Sequence, residues 1–456
     1  MRTARPVGSE WWRSESLMAG GDAPGVSVAA AAGANDSAVS FWALMGFTFI
    51  MLLAPQQVFP ALAPFRIALL IGTVAAAAYL YHCFTHREPF VRWTREMRVT
   101  AFLAGWAVLS APFSYWPGGS VSFLTDVYLK TLVVFWLVSH TVNTLRKLRR
   151  LAWGLCLMGI PLAVAGVNHY LSGEFLPEAG NVPRIVGYVS SLAANPNDLA
   201  LTLNLTVPLC VALFLTSTKP LVRLVLAGVI VLDATAIVMT FSRTGFLTLA
   251  TTVLLYLWKL RARTERVWAW VAVVLAFACI PWLPSGYLDR LSTITSIESD
   301  ATGSAQQRWM DMEAAVSLAL KHPIIGAGVG MNEEALNEER GMAWKAVHNV
   351  YLVYAVDLGV PGFVLFLILL ASCIKDVSRV QQGSATVPAF RELFCLAEGI
   401  QVSLIAFAVA AVFHPVAYHF YFYYMAGLAI AANAVYEAVK PAQAQNQSTL
   451  PLRNQL

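Results

Sequence analysis

The sequence predicts an all-α polytopic membrane protein of about twelve transmembrane helices, with one large helical loop outside the membrane. Three observations lead to this prediction. Of the 456 residues, 58% are hydrophobic and only 12% are charged, about half the charged share of an average soluble domain. Apolar stretches long enough to cross a bilayer recur along the chain. Lys and Arg are concentrated in alternate connections between those stretches, as in multi-pass proteins.

The apolar stretches define the helices in order. They lie at about 40–56, 61–81, 98–115, 124–141, 149–172, 198–217, 220–241, 244–259, 267–284, 349–374, 394–414 and 416–438. The first nine fall within residues 39–284 and the last three within residues 348–438. Residues 285–347 form the large loop between the two groups. Residues 1–38 and 439–456 form polar tails, and the composition of the first predicts disorder.

The distribution of Lys and Arg predicts the orientation of the helices. One set of alternate connections carries most of these cations: Arg87, Arg92, Arg95, Arg98, Arg146, Lys147, Arg149, Arg150, Lys219, Arg223, Lys259, Arg261, Arg263, Arg266, Lys375, Arg379 and Arg391. The short connections of the opposite set hold little beyond Arg184 and Arg243, with Arg66 near one rim. Because loops rich in Lys and Arg stay in the cytoplasm, we expect both termini to be cytoplasmic and the loop at 285–347 to be external.

Composition also excludes several classes of function. The net charge of +5 matches the cytoplasmic excess of Lys and Arg, and no basic stripe with interleaved aromatics indicates nucleic-acid binding. The six cysteines are scattered singly in or beside apolar segments, which predicts small buried hydrophobes rather than disulfides or zinc ligands. The external connections contain no carboxylate pair with metal-ligand spacing. We therefore expect neither a metal nor another cofactor.

The large loop contains the pattern of an amphipathic helix. Ser304 and Gln307 form a capping box, and the segment from Lys321 to Pro323 ends the helix. One apolar stripe recurs at helical spacing: Trp309, Met312, Val316 and Leu320. Such stripes usually pack on neighbouring helices. This one could also lie on the outer membrane–water interface and cover a cavity.

Two arginines lie on the face where cations are scarce. Arg243 stands in TFSRTGF, a turn between two apolar helices, where an arginine often reaches lipid phosphates. Arg184 stands in an external loop that leads into a helix after Pro196, with Asn197 or Asp198 as N-cap. A loop arginine is usually only solvated, but two on a cation-poor face indicate binding. Arginine binds phosphate oxygens bidentately and stays protonated at any working pH.

A histidine opens the helix that follows the large loop. His348 stands in AVHNVYLVYAVDLGVPG, beside Asn349. A lone histidine at a helix start is usually structural. Its position on the same face as the two arginines favours a chemical role, because an ordinary histidine pKa of about 6.5 suits proton abstraction near neutrality.

The remaining ionisable residues give weaker signals. Asp126 and Lys130 are four apart in one helix and are predicted to pair. Asp233 lies mid-membrane, where an acid is functional by default, but no partner is evident. GAGVG at 326–330 lacks the strand that precedes a phosphate loop, and we interpret it as a flexible turn. His414, amid HPVAYHFYFYY, is assigned to an aromatic belt at the membrane surface.

Four segments resemble the bacterial O-antigen ligase and O-antigen polymerase superfamily of polytopic inner-membrane proteins, and most of all its ligases. They are RIVGYVSSLAANPNDLALTL (184–203), FSRTG (241–245), GSAQQRWMDMEAAVSLALKHPIIGAGVG (303–330) and HNVYLVYAVDLGVPG (348–362). None is specific alone, but their order and their shared face match the family. The resemblance covers well under half of the chain.

The resemblance implies a function and a site. Members transfer a glycan from undecaprenyl pyrophosphate to an acceptor at the periplasmic face, and the ligases use the lipid A–core oligosaccharide as acceptor. The family's two external arginines and the histidine of its HN motif fall on Arg184, Arg243 and His348 as catalytic residues. The implied fold is a GT-C-type glycosyltransferase, open sideways to membrane lipids. The first external loop, APQQVFPALAPF, has no acid, unlike that of many metal-dependent GT-C relatives.

The chemistry can also be argued from the residues. Undecaprenyl pyrophosphate is a good leaving group only if its growing negative charge is neutralised in the transition state. We expect Arg184 and Arg243 to do this without a metal, while His348 takes the acceptor's proton or orients its hydroxyl. Direct displacement at the anomeric carbon would invert its configuration. Further substrate-binding candidates are Arg308, Trp309, Asn349 and Tyr351, although core packing is the more usual role for Trp309 and Tyr351.

Three other functions stay open. An O-antigen polymerase joins two lipid-linked glycans by the same chemistry, and a protein O-oligosaccharyltransferase uses Ser or Thr as acceptor. The HN segment, and the lack of a large soluble domain after the twelfth helix, favour the ligase. A lipid or solute transporter would account for the helices, but not for two external arginines beside a histidine. No pattern in the chain indicates the sugar or the oligomeric state.

Overall fold

The computed structural model describes residues 37–177, 182–190, 192–292, 304–340 and 346–448. The predicted tail at 1–38 lies outside this part of the chain except for its last two residues, and α1 begins at Ala38. The last helix continues to Ser448, past the predicted start of the C-terminal tail. Apart from one bridge pair, Phe175 and Ile185, the described residues contain no strand. The prediction of an all-helical protein is confirmed.

Seventeen α-helices are described, numbered in chain order. They are α1 Ala38–Leu53, α2 Pro55–Val58, α3 Ile67–His86, α4 Arg95–Ser110, α5 Pro117–Phe123, α6 Leu129–Thr141, α7 Leu145–Leu171, α8 Pro196–Thr216, α9 Pro220–Met239, α10 Arg243–Leu260, α11 Arg266–Ala278, α12 Tyr287–Ser292, α13 Ser304–Lys321, α14 Asn332–Arg340, α15 Val350–Ser384, α16 Arg391–Ala410 and α17 Phe420–Ser448. A π-turn at Leu124–Tyr128 joins α5 to α6 without a break.

Seven of the helical segments described here are long and apolar enough to cross a membrane. They are Pro60–His86, Pro117–Thr141, Leu145–Leu171, Pro196–Thr216, Pro220–Met239, Val350–Ser384 and Pro388–Ala410. Each of the twelve predicted apolar stretches falls on a helix, but five of those helices are not among the seven: α1, α4, α10, α11 and α17. The protein is therefore a multi-pass membrane protein, and the count of twelve spans stays a prediction.

Helices α8 and α16 form the centre of the bundle. In their most apolar stretches 89% and 78% of the residues are buried, against 6% for the segment ending in α3. A helix that is apolar all round belongs inside a bundle. Gly399 lets the two backbones approach, because a Cβ there would lie 2.7 Å from the carbonyl oxygen of Pro208. The polar residues at the ends of these two helices are therefore held in place by a closely packed central pair, α8 and α16.

Helix α15 is longer than predicted and is broken near its start. Gly359 adopts φ 65° and ψ −169°, which is not helical, and Pro361 follows. The GAGVG loop packs into this break: Ala327 N–H donates to Val356 O at 2.7 Å, and Gly328 N–H donates to Asp357 O at 2.9 Å. A Cβ on Gly328 would lie 1.9 Å from the Ser114 side chain. The segment that we interpreted as a flexible turn is a tightly packed structural loop.

The amphipathic helix of the large loop is present, but it packs through a different face. As predicted, α13 ends at Lys321. Its buried side chains are Asp311, Ala315 and Leu318, and it packs against α15. Trp309, Val316 and Leu320 are exposed, and Met312 is only half-buried. The idea that the predicted stripe packs on neighbouring helices is wrong, and its exposure favours the interfacial alternative.

One end of the bundle, which we call the α8 C-terminal end, carries a network of ion pairs. Arg263 donates two hydrogen bonds to the buried carboxylate of Glu398, at 2.8 and 3.0 Å. Arg391 donates to Leu215 O at 2.7 Å and to Glu265 at 3.2 Å. These cations belong to the set that we predict to be cytoplasmic. The candidate site lies at the other end.

Candidate active site

The N-terminus of α8 is the foundation of the site. Asn195 is its N-cap: its Oδ1 accepts from the backbone N–H groups of Asn197 and Asp198, both at 3.0 Å, and its Nδ2 donates to Asp198 Oδ2 at 2.6 Å. Our prediction that Asn197 or Asp198 caps the helix is wrong. Pro196 occupies the first helical position, which its fixed φ favours, so the residue before it becomes the cap. The side chains of Asn197 and Asp198 are thereby left to make contacts with other elements.

Arg184 lies in the connection between α7 and α8. This connection folds back on itself, with Leu176 N–H donating to Arg184 O at 2.7 Å and Val186 N–H donating to Glu174 O at 3.1 Å. The half-buried side chain of Arg184 reaches α8, where its Nη2 donates to Asn197 Oδ1 at 3.2 Å. The backbone of an otherwise irregular loop therefore holds this guanidinium against a helix terminus.

Arg243 is the first residue of α10, and the FSRTG motif explains its placement. Phe241 turns the chain with φ 52°. Ser242 caps α10, since its hydroxyl accepts from Gly245 N–H at 3.1 Å, and the same hydroxyl donates to Asn197 Oδ1 at 2.8 Å. Gly245 allows close contact with α8, because a Cβ there would lie 2.7 Å from Ala200 Cβ. The FSRTG motif therefore lets the start of α10 pack closely against the start of α8.

Asn197 joins the two arginine segments. A single oxygen, Oδ1, accepts from the Arg184 guanidinium and from the Ser242 hydroxyl, whose chain neighbour is Arg243. The structure therefore brings Arg184 and the segment that carries Arg243, which are far apart in sequence, to the same helix terminus. Asn197 was not a site candidate in the sequence. The only signal was its place in NPND, where several polar residues open an apolar helix.

His348 precedes α15, whose N-cap is Asn349. The Asn349 side chain accepts from Leu352 N–H at 3.1 Å, and Val350 N–H donates to Ala411 O, at the end of α16, at 2.8 Å. The His348 Nδ1 lies 3.0 Å from the carbonyl oxygen of Ala346. Since a carbonyl can only accept, Nδ1 carries the proton in this bond, and Nε2 is the basic nitrogen of the neutral ring.

A buried histidine, His414, lies between the arginine side and the His348 side. It follows α16, is only 3% exposed, and its Nε2 lies 3.9 Å from Asp198 Oδ1. Burial lowers the pKa of His414 to about 3, and smaller contributions in the same direction come from Arg308 and His348. Arg308 and His348 are therefore within electrostatic reach of His414. His414 is an uncharged interior residue of the site, so its assignment to an aromatic belt is wrong.

The other predicted binding residues have identifiable contacts. The Tyr351 hydroxyl donates to Ala408 O at 2.8 Å, and this bond joins α15 to α16. The Tyr351 ring also packs edge-on against Phe366. Trp309 is 53% exposed, and its indole N–H donates to Glu313 at 2.6 Å. These contacts are structural, and a part for either residue in substrate binding stays a prediction.

Comparison with known protein families gives a match. Residues 226–367 match the family model described as O-antigen ligase. The match supports membership of the O-antigen ligase and polymerase superfamily. The matched segment includes Arg243, Arg308 and His348, whereas Arg184 lies before it. No curated protein matches the chain.

Proposed function

We propose that this protein is an O-antigen ligase, a glycosyltransferase that moves a glycan from undecaprenyl pyrophosphate to the lipid A–core oligosaccharide. Two findings support the proposal: the O-antigen ligase match over residues 226–367, and the meeting of two arginine segments at Asn197. The second carries most weight, because two arginine-bearing segments that meet at one helix terminus of a membrane protein favour the binding of an anion.

The proposed role of Arg184 and Arg243 is to bind the pyrophosphate of the donor. Negative charge builds on the pyrophosphate as the bond to the sugar breaks, and fixed guanidinium groups stabilise that charge more in the transition state than in the ground state. The N-termini of α8 and α10 add the positive ends of their helix dipoles, which favour a bound anion. The reaction then proceeds without a metal.

His348 is the proposed general base. Its basic Nε2 takes the proton from the acceptor hydroxyl as the hydroxyl oxygen bonds to the anomeric carbon. The bond from that carbon to the pyrophosphate oxygen breaks on the opposite side, so the configuration inverts. Undecaprenyl pyrophosphate leaves with the electrons of the broken bond, and Arg184 and Arg243 stabilise its negative charge.

The membrane arrangement forms part of the proposal. The site end of the bundle faces the periplasm and the α8 C-terminal end faces the cytoplasm of a bacterial inner membrane, with twelve spans in a GT-C-type architecture. The lipid-linked donor then enters sideways from the outer leaflet. The cations paired at the α8 C-terminal end support this orientation.

A gel of lipopolysaccharide from a strain that lacks the gene tests the function. The ligase predicts long polymer that is no longer attached to core. Core bearing a single repeat would assign the protein as a polymerase instead. Unchanged lipopolysaccharide would contradict both and favour transfer to protein or a transport function.

A further inference from the structure

A cavity that neither Arg184 nor Arg243 lines opens at the same end of the bundle. Its volume is about 460 Å³, and α5, the start of α14 and the segment before α17 line it. Ala346 also lines it, and the carbonyl oxygen of Ala346 accepts from His348 Nδ1. The cavity therefore reaches the backbone that holds the proposed base, and its volume suits a sugar-sized ligand.

Aromatic residues give this cavity flat and rigid walls. The Trp116 indole is 60% exposed and lies across Gly119, where a Cβ would meet the ring at 2.4 Å. Tyr418 is 1% exposed and holds a left-handed backbone with φ 64°, and its ring meets Phe123 edge-on at 5.4 Å. A left-handed non-glycine residue costs energy and is often found at binding sites. Fixed aromatic faces bind the apolar face of a ring such as a pyranose.

The acidic side chains of the cavity are hydrogen-bond acceptors, and the other polar residues that line it are Ser122, Asn332 and His419. Asp126, Glu333 and Glu334 line it, while the residues that line it include no Lys or Arg. Lys130 pairs with Asp126 at 3.4 Å, as predicted. The Oε2 atom of Glu334 is buried and has no hydrogen-bond partner among the described residues. Since buried acceptors are normally satisfied, a ligand with hydroxyl donors would complete this site.

The charge of the cavity distinguishes its ligand from the donor. Ionised carboxylates accept hydrogen bonds from hydroxyls but repel phosphates. Among the described residues, no three His, Cys, Asp or Glu side chains are grouped to hold a metal ion. Hydroxyl groups are therefore the better match to these carboxylates.

We infer that this cavity binds the carbohydrate acceptor, and that Trp116 and Glu334 hold the sugar whose hydroxyl faces His348. The inference rests on the proposed function and deepens it by assigning the two substrates to opposite sides of His348. The phosphate-bearing donor lies on the arginine side, and the hydroxyl-rich acceptor lies on the acidic, aromatic side.

Binding of core oligosaccharide, released from the host's lipopolysaccharide by mild acid, tests the inference. Calorimetry with the purified full-length protein should show binding that Trp116→Ala and Glu334→Gln each weaken roughly tenfold or more, because the first removes the aromatic face that stacks on the sugar and the second removes a hydrogen bond to a charged group. Trp116→Phe should retain most of the affinity. The matched controls are Trp282→Ala, at an indole 80% exposed outside the cavity, and Glu437→Gln, at a surface acid paired with Lys440; both should bind as the wild type does.

Two results separate this inference from the proposed function. If the cavity variants bind core oligosaccharide as the wild type does, or the wild type does not bind it, the cavity is not the acceptor site. In a transfer assay, the same variants should raise the KM for acceptor and leave the KM for donor unchanged. Binding that is lost in these variants, in a protein that transfers no glycan, would support the cavity and overturn the proposed function.

Discussion

Asn197 determines where the guanidinium group of Arg184 lies. Its Oδ1 accepts from Arg184 at 3.2 Å and from Ser242 at 2.8 Å, so Asn197→Ala removes both contacts. We expect donor affinity to fall about tenfold or more, the usual effect of losing a hydrogen bond to a charged group. Asn197→Asp keeps the acceptor oxygen and should retain most of the affinity. The KM for lipid-linked donor measures this, and a normal KM in the alanine variant would contradict the positioning role.

His414 should make the stability of the protein depend on pH. Burial lowers its pKa to about 3 in the folded protein, whereas an unfolded histidine titrates near 6.5. The unfolded chain then binds the extra proton first, so stability falls as pH decreases below about 6.5, by up to ~1.4 kcal/mol per pH unit.

Thermal unfolding at about pH 7.5 and about pH 5 measures this effect. His414→Gln should show a smaller drop in Tm between the two conditions than the wild type. His86→Gln, at an exposed histidine, is the control. An equal drop in wild type and His414→Gln would show that His414 is not the group responsible.

At the scale of the helices, glycines determine how closely α8 and α10 pack. A Cβ at Gly245 would lie 2.7 Å from Ala200 Cβ, so Gly245→Ala should lower stability by ~1–3 kcal/mol through overpacking. The same substitution at Gly228, an exposed position of α9 with nothing within 4 Å, should stabilise by about 0.5–1 kcal/mol, because alanine favours a helix. Opposite shifts in Tm are expected, and a neutral Gly245→Ala would contradict the close approach.

The sequence predicts the helices well because their signals are local. Runs of apolar residues of about spanning length place all twelve stretches on helices. The sequence does not predict features that depend on contacts between helices. The apolar stripe of α13 faces away from the bundle, since Asp311, Ala315 and Leu318 pack inward. The GAGVG loop packs against the break at Gly359. No local sequence pattern predicts that contact.

The predicted site shows the same division between local and tertiary information. Arg184 and Arg243 could be selected because cations are scarce in the short external connections, and His348 because it opens the helix that follows the large loop. His414 and Asn197 could not, since one resembles its aromatic surroundings and the other a helix cap. Their importance comes from contacts across α8, α10 and α16, which form only in the folded molecule.

At the scale of the whole molecule, the account requires the site end to face the periplasm. Cysteine at Val189, which is exposed at the site end, should react with a membrane-impermeant maleimide in spheroplasts, whereas cysteine at Arg261 should react only after permeabilisation. Both cysteine variants are made in a protein that also carries Cys279→Ser. Cys279 is the exposed native thiol among the described cysteines and would otherwise react with the maleimide. Labelling in the reverse pattern would place the site in the cytoplasm.

Transfer of glycan in proteoliposomes tests the central claim most directly. With undecaprenyl-pyrophosphate-linked glycan and lipid A–core acceptor, the wild type should form the linked product. Arg184→Ala, Arg243→Ala and His348→Ala should each lose ~10²-fold or more in rate without losing folded protein, and Arg→Lys at either position should retain only part of the activity. Arg66→Asn, at an exposed arginine whose left-handed backbone asparagine tolerates, should be as active as the wild type. Near-normal transfer by the three alanine variants would contradict the account.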